Sequence, residues 1–293
     1  MLRITYVSFP GLGIGEFKLN SEAFSVFGHP IAWYGIIITF GILMAACYVL
    51  YRARQEGIPS DDILDLAIYV VLFSVLGARI YYVLTSLDQF DNFWDIFKIW
   101  EGGIAIYGAV IAGALTIYLY CRIKKRKTAV FYDMIGPAVM LGQIIGRWGN
   151  FMNGEAHGGE TEIFCRMGLR FHEYSNVHYY HPTFIYESLW NTIGFILINI
   201  FYKKKRYNGQ IVYMYLAWYG FGRMFIEQLR TDSLYIFAER WYLKISSLVG
   251  LACFLIFGGL LLYHAIKGTR TETAYRVTAE AAAQAPETEK DKE

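Results

Sequence analysis

Two stretches hold the residue types best suited to chemistry. Between 142 and 158, Gln143, Arg147 and Asn150 recur at helical spacing, so three polar side chains share one face. Gly142, Gly146 and Gly149 line a neighbouring face, open to the close approach of another backbone. Between 210 and 229, Tyr219, Arg223 and Glu227 follow at i, i+4 and i+8 and form a second stripe. A planar guanidinium holds a phosphate through two parallel hydrogen bonds, so the chemistry on offer is anion binding and charge stabilisation. Taken singly, each residue has a plainer reading. Arg147 alone fits an arginine snorkelling to the interface from a helix end. Arg223 with Glu227 fits a structural ion pair, and Arg79 fits helix glue bonded to carbonyls.

The elements that must position these residues are membrane spans. Of 293 residues, 55% are hydrophobic and 18% charged, and the apolar ones fall in long uncharged runs. Seven segments have about the length of a bilayer core: 31–51, 63–84, 104–121, 129–150, 183–202, 210–229 and 241–265. The expected fold is therefore an all-α integral membrane protein of about seven transmembrane helices. Residues 1–30 read as short strands or loops at the surface, 151–182 as a small extracytoplasmic cap, and 266–293 as a disordered cytoplasmic tail. No basic region followed by a short apolar run precedes the first span, so that span is expected to act as an uncleaved insertion signal. Four scattered cysteines show neither metal-ligand spacing nor a disulfide framework.

Loop charge sets the expected orientation. Arg52 and Arg54, the run from Arg122 to Lys127, the run from Lys203 to Arg206, and Lys267, Arg270 and Arg276 all fall on one side, which is then cytoplasmic. The N-terminus lies outside and the C-terminus inside. At about 1.5 Å per residue, Tyr219, Arg223 and Glu227 sit roughly 13, 20 and 25 Å from the cytoplasmic start of their span, Arg147 about 27 Å and Arg79 about 24 Å. Tyr34, Tyr107, His181, Tyr186 and Glu187 fall at or near the outer ends of theirs. Tyr34 and Tyr107 taken alone fit an aromatic belt, His181-Pro182 a helix-start turn, and His157 and His178 surface positions. Several arginines at one depth call for a shared anion, and the simplest at the outer leaflet is a phospholipid phosphate.

Gly146-Arg147-Trp148-Gly149-Asn150-Phe151-Met152-Asn153-Gly154-Glu155, continuing to Gly158, resembles the signature of the prolipoprotein diacylglyceryl transferase family. So do Trp33-Tyr34-Gly35, Gly77-Ala78-Arg79-Ile80-Tyr81-Tyr82, Glu101-Gly102-Gly103-Ile104-Ala105-Ile106, His181-Pro182-Thr183, Tyr186-Glu187 and Tyr219-x3-Arg223-x3-Glu227. The resemblance runs from about residue 25 to 265, with the motifs in the family's order. Family members often carry histidine where this chain has Tyr107.

The resemblance implies transfer of diacylglyceryl from phosphatidylglycerol to the lipobox cysteine thiol of a preprolipoprotein signal peptide, at the outer leaflet of the bacterial plasma membrane. It implies no metal, nucleotide or other cofactor, and membrane lipid rather than nucleic acid as a partner. Arg147 and Arg223 are the expected phosphate ligands, with Glu227 orienting Arg223. Asn150, Asn153, Glu155, Gly158, Arg79, Tyr34, His181, Tyr186 and Glu187 are expected along the phosphatidylglycerol site. The acceptor of the thiol proton stays open among Tyr107, Tyr219, His181 and the leaving phosphate. The competing class, a transporter or flippase for an anionic lipid, needs polar residues continuing into the cytoplasmic half, where they are sparse. A receptor or scaffold leaves the co-located arginines and tyrosines unexplained, and no nucleophile–base pair typical of an intramembrane protease stands out.

Overall fold

The computed structural model describes residues 4–90, 92–99, 102–170, 175–231, 235–236 and 243–273. Seven α-helices run through the described residues: α1 (Trp33–Gln55), α2 (Ser60–Thr85), α3 (Ile106–Ile123), α4 (Thr128–Asn153), α5 (Thr183–Tyr202), α6 (Gln210–Leu229) and α7 (Ile245–Ile266). Two of the expected spans, 183–202 and 210–229, coincide with α5 and α6. Among the described residues, six helices are long and apolar enough to cross a membrane. The exception, α6, has the length but carries Tyr219, Arg223, Glu227 and Gln228. Glu101, Trp241 and the tail from 274 onward, all part of the sequence expectations, lie outside the described residues.

The chain divides into two compact units: residues 1–48 with 135–273, and residues 49–134. In the second unit α2 and α3 cross closely. A Cβ added to Gly108 would overlap the carbonyl oxygen of Gly77, so the backbones touch where both residues lack side chains. After α2, Arg79 gathers the connecting segment. Its Nε donates to Ile96 O (2.7 Å), Nη2 to Asp95 O (2.7 Å), and Nη1 to Gly102 O and Gly103 O (2.8 Å each). Arg79 is buried, and its five N–H donors let one side chain hold several carbonyls of that segment at once. Lys98 beside Asp95 (2.6 Å) holds that carboxyl below the usual carboxylate range.

In the first unit the N-terminal segment is not separate from the expected cap. Strands β1 (Ile4–Phe9) and β2 (Ile14–Asn20) join β5 (Met167–Arg170) and β6 (His178–Tyr180) in one antiparallel sheet ordered β2-β1-β5-β6. Its inward residues Val7, Phe9, Leu19, Met167 and Leu169 form a core with Phe184 of α5, and Phe151 and Met152 of α4 pack against it. The rings of Phe151 and Phe184 stack with centroids 4.6 Å apart. The sheet thus seats on the ends of α4 and α5. A hairpin, β3 (Glu22–Val26) with β4 (His29–Ala32), leads into α1. Another, β7 (Tyr235–Ile236) with β8 (Leu243–Lys244), precedes α7.

The α2–α3 crossing is open to test. Gly108→Ala is expected to lower stability by about 1–3 kcal/mol, because the methyl must push two backbones apart. The effect is read as a lower thermal unfolding midpoint of the purified protein in detergent. Gly35→Ala, whose methyl would meet nothing within 4 Å, is expected to leave the midpoint unchanged.

Candidate functional site

The C-terminal turn of α4 shapes one wall of the site. Gly154 adopts φ +62°, a left-handed conformation that glycine takes without a Cβ penalty. The Gly154 N–H donates to Phe151 O (2.9 Å) and the Glu155 N–H to Asn150 O (3.1 Å), which ends the helix and folds Glu155 back over it. Asn150 Nδ2 and Asn153 Nδ2 then both donate to Glu155 Oε1, at 3.2 and 3.1 Å. Asn150 Oδ1 in turn accepts from Arg147 Nη1 (3.3 Å). Arg147, Asn150, Asn153 and Glu155 are therefore one connected set, in which Arg147 and Asn150 share the face that helical spacing gives them.

Glu187 on α5 is the centre. Its carboxylate is 5% exposed and meets three arginines. Arg147 Nη2 lies 2.5 Å from Oε2, Arg223 Nη1 2.9 Å from Oε1, and Arg230 Nη1 3.3 Å from Oε1. Arg223 Nη2 also lies 2.6 Å from Glu227 Oε2, a close charge contact whose alignment falls short of a hydrogen bond. Three guanidinium groups and two carboxylates meet away from bulk water, leaving one positive charge in formal excess. Each guanidinium has five N–H donors, more than the two contacts made by Arg147 or by Arg223. Tyr219 and Arg223 line a cavity together with Glu187.

Neighbouring contacts hold this arrangement. Trp148 Nε1 donates to Ser188 Oγ (3.3 Å), whose hydroxyl donates to Ile144 O (3.3 Å), tying α4 to α5 beside the Arg147–Glu187 pair. α6 meets α7 backbone to backbone: a Cβ on Gly250 would stand 2.8 Å from Gly220 O and 3.3 Å from Arg223 Cβ. At the end of α6, Lys244 Nζ donates to the carbonyls of Glu227 (2.8 Å), Gln228 (3.1 Å) and Arg230 (2.5 Å), a cation on the helix's negative pole.

The other expected residues distribute as follows. Tyr34 lies against α4, where a Cβ on Gly149 would come within 3.0 Å of its ring, so the glycine face receives a side chain rather than a backbone. Gly158 makes room: a Cβ there would stand 2.6 Å from His181 Cβ and 2.7 Å from Leu229 O, and its N–H donates to His181 O (2.9 Å). His181 Nδ1 is 3.4 Å from Tyr186 Oη, which is 3.4 Å from Cys165 Sγ. Burial pushes the His181 imidazole below its ordinary pKa, so it is neutral near neutral pH. Gln143 looks deeper, receiving Asn191 Nδ2 (3.4 Å) and donating to Tyr215 Oη (3.1 Å). Arg79 and Tyr107 belong to the second unit, where Arg79 is engaged with the carbonyls described above and Tyr107 packs 6.4 Å from Tyr81, centroid to centroid.

Arg230 is the residue that sequence reasoning passed over. It follows Arg223 by seven positions, two helical turns, so the stripe that gave Tyr219, Arg223 and Glu227 extends to it. Among the described residues, no group of three or more histidine, cysteine, aspartate or glutamate side chains is placed to hold a metal.

A family model described as prolipoprotein diacylglyceryl transferase matches residues 21–263. A Clostridium perfringens protein named phosphatidylglycerol–prolipoprotein diacylglyceryl transferase 1 is 42% identical over 243 residues, covering 80% of this chain and 91% of the relative. A Listeria innocua protein named phosphatidylglycerol–prolipoprotein diacylglyceryl transferase is 39% identical over 264 residues, covering 87% and 94%. One of the same name from Lactobacillus delbrueckii subsp. bulgaricus is 40% identical over 258 residues, covering 85% and 92%. With its helices, its motif order and these similarities in agreement, the chain belongs to the prolipoprotein diacylglyceryl transferase family.

Proposed function

We propose that this multi-pass membrane protein transfers the diacylglyceryl group of phosphatidylglycerol to the lipobox cysteine thiol of preprolipoproteins, the first step of bacterial lipoprotein maturation. The observation that carries the reading is the single excess positive charge of the Arg147–Arg223–Arg230 cluster around Glu187 and Glu227. A phosphodiester headgroup carries one negative charge, so its phosphate fits that excess. The thiolate sulfur attacks the glyceryl carbon that bears the phosphate. A C–S thioether forms, the C–O bond breaks, and the departing glycerol phosphate gains negative charge as that bond breaks, before it takes up a proton. Guanidinium donors that gain strength as that charge develops lower the barrier rather than merely binding lipid. Arg147 and Arg223 take the phosphate, Glu227 orients Arg223, and Asn150, Asn153 and Glu155 offer polar contacts to the glycerol headgroup.

The thiol proton passes to the leaving phosphate in the simplest version of this scheme, with Tyr219 the α6 hydroxyl that lines the cavity beside Arg223. Loop charge supports a cytoplasmic position for the basic connections, and so an outer-leaflet site in the plasma membrane. Arg79 is assigned to organising the α2–α3 connection instead of contacting lipid, since its donors already serve carbonyls.

The direct test incubates purified protein with phosphatidylglycerol vesicles and a lipobox peptide and follows the peptide by mass spectrometry. A diacylglyceryl adduct with equimolar glycerol phosphate is expected; folded protein that yields no adduct but moves lipid between leaflets would sink the reading. Arg147→Ala is expected to lower the rate at least about 100-fold, the scale of losing one transition-state donor. Tyr107→His is expected to stay within about threefold of the parent if the position needs only a polar aromatic. Glu187→Ala strands three guanidinium groups around one remaining carboxylate. It is expected to lower stability by about 3–5 kcal/mol and to abolish transfer, measured as thermal midpoint and adduct yield.

A further inference from the structure

The α5–α6 contact holds a device that the reaction scheme leaves unused. The indoles of Trp190 and Trp218 stack with centroids 4.3 Å apart and planes 15° apart. Trp190 Nε1 donates to Trp218 O (3.1 Å), and Trp218 Nε1 donates to Trp190 O (3.0 Å). Each ring also fills a notch in the opposite helix. A Cβ on Gly222 would overlap the Trp190 indole, and a Cβ on Gly194 would overlap that of Trp218. In both helices the glycine follows its tryptophan by four residues, so the contact has a local two-fold character between antiparallel helices.

Such a clasp resists sliding and rotation together. A shift of one residue moves a helix by about 1.5 Å and turns it by about 100°, breaking both hydrogen bonds and lifting both rings from their notches. The clasp sits beside the cluster: Trp190 is one turn from Glu187, and Gly222 adjoins Arg223. Trp190 and Gly222 line the same cavity as Glu187, Tyr219 and Arg223. We propose that the Trp190–Trp218 clasp is a positioning device for the transfer reaction, setting the α5–α6 register in which Glu187 meets Arg223. This inference rests on the reading of that cluster as the transfer site.

Trp218 is the residue to test, because it is not among those lining the cavity. Initial rates are measured with the full chain, phosphatidylglycerol vesicles and a lipobox peptide, beside thermal unfolding of each variant. Trp218→Ala is expected to reduce kcat about 100-fold, the usual scale for a misplacement of about 1 Å, with KM for phosphatidylglycerol within about threefold. Trp218→Phe keeps a stacking ring and is expected to recover kcat to within about fivefold of the parent. Should Trp218→Ala not accumulate folded, Gly194→Ala, which displaces the same ring, is read with the same expectation. Folded Trp218→Ala or Gly194→Ala with parental kcat, or with a change in KM alone, would overturn the proposal. Arg223→Ala run alongside separates the two readings. Parental turnover there defeats the site assignment, whereas loss there with parental turnover in the clasp variants defeats the clasp alone.

Discussion

The Glu187 carboxylate constrains everything around it. A carboxylate 5% exposed is costly unless its charge is matched, and three guanidinium groups this close repel one another unless a carboxylate stands among them. Neither side is tolerable without the other. The arrangement also needs three helices in fixed register, because Arg147 comes from α4, Glu187 from α5, and Arg223 and Arg230 from α6 or its end. The Trp148–Ser188 bond, the paired tryptophans and the Gly220–Gly250 approach answer that demand at three different contacts. Small residues and polar bonds serve here because apolar burial distinguishes poorly between a helix partner and lipid.

The same residue type meets two fates in this chain. Arg147 and Arg223 share carboxylates and keep donors in reserve, the condition for receiving an anion. Arg79 is engaged on all sides by carbonyls of one connecting segment, where only a many-donor cation could hold so many acceptors at once. Depth counted along a helix does not separate these cases. The distinction lies in what surrounds the guanidinium, which is a property of the loop that follows α2.

Much of the fold was legible because apolar length is a strong signal: α5 and α6 begin and end where their patterns say. The Arg147–Asn150 and Arg223–Glu227 pairings were legible because helical spacing fixes which side chains share a face. Three things were not. The sheet that joins β1 to β5 pairs segments roughly 160 positions apart, and no local pattern encodes that register. The packing role of Gly158 has no sequence signal either: its lack of a Cβ lets His181 and Leu229 approach. Arg230 lay just beyond the end of its helix, where the backbone turns extended and the periodic count had stopped.

Lys244 has a consequence for how the chain can vary. Its ammonium collects the last carbonyls of α6 from a point 14 residues beyond Arg230, so the terminus that carries Arg230 is secured from across the intervening segment. What that closure requires is its two ends, Arg230 and Lys244. The end of α6 and the placement of Arg230 therefore depend on a side chain remote in sequence. A change that removes the Lys244 ammonium loosens the last turn of α6 and the seat of Arg230 together, although neither lies next to it in the chain.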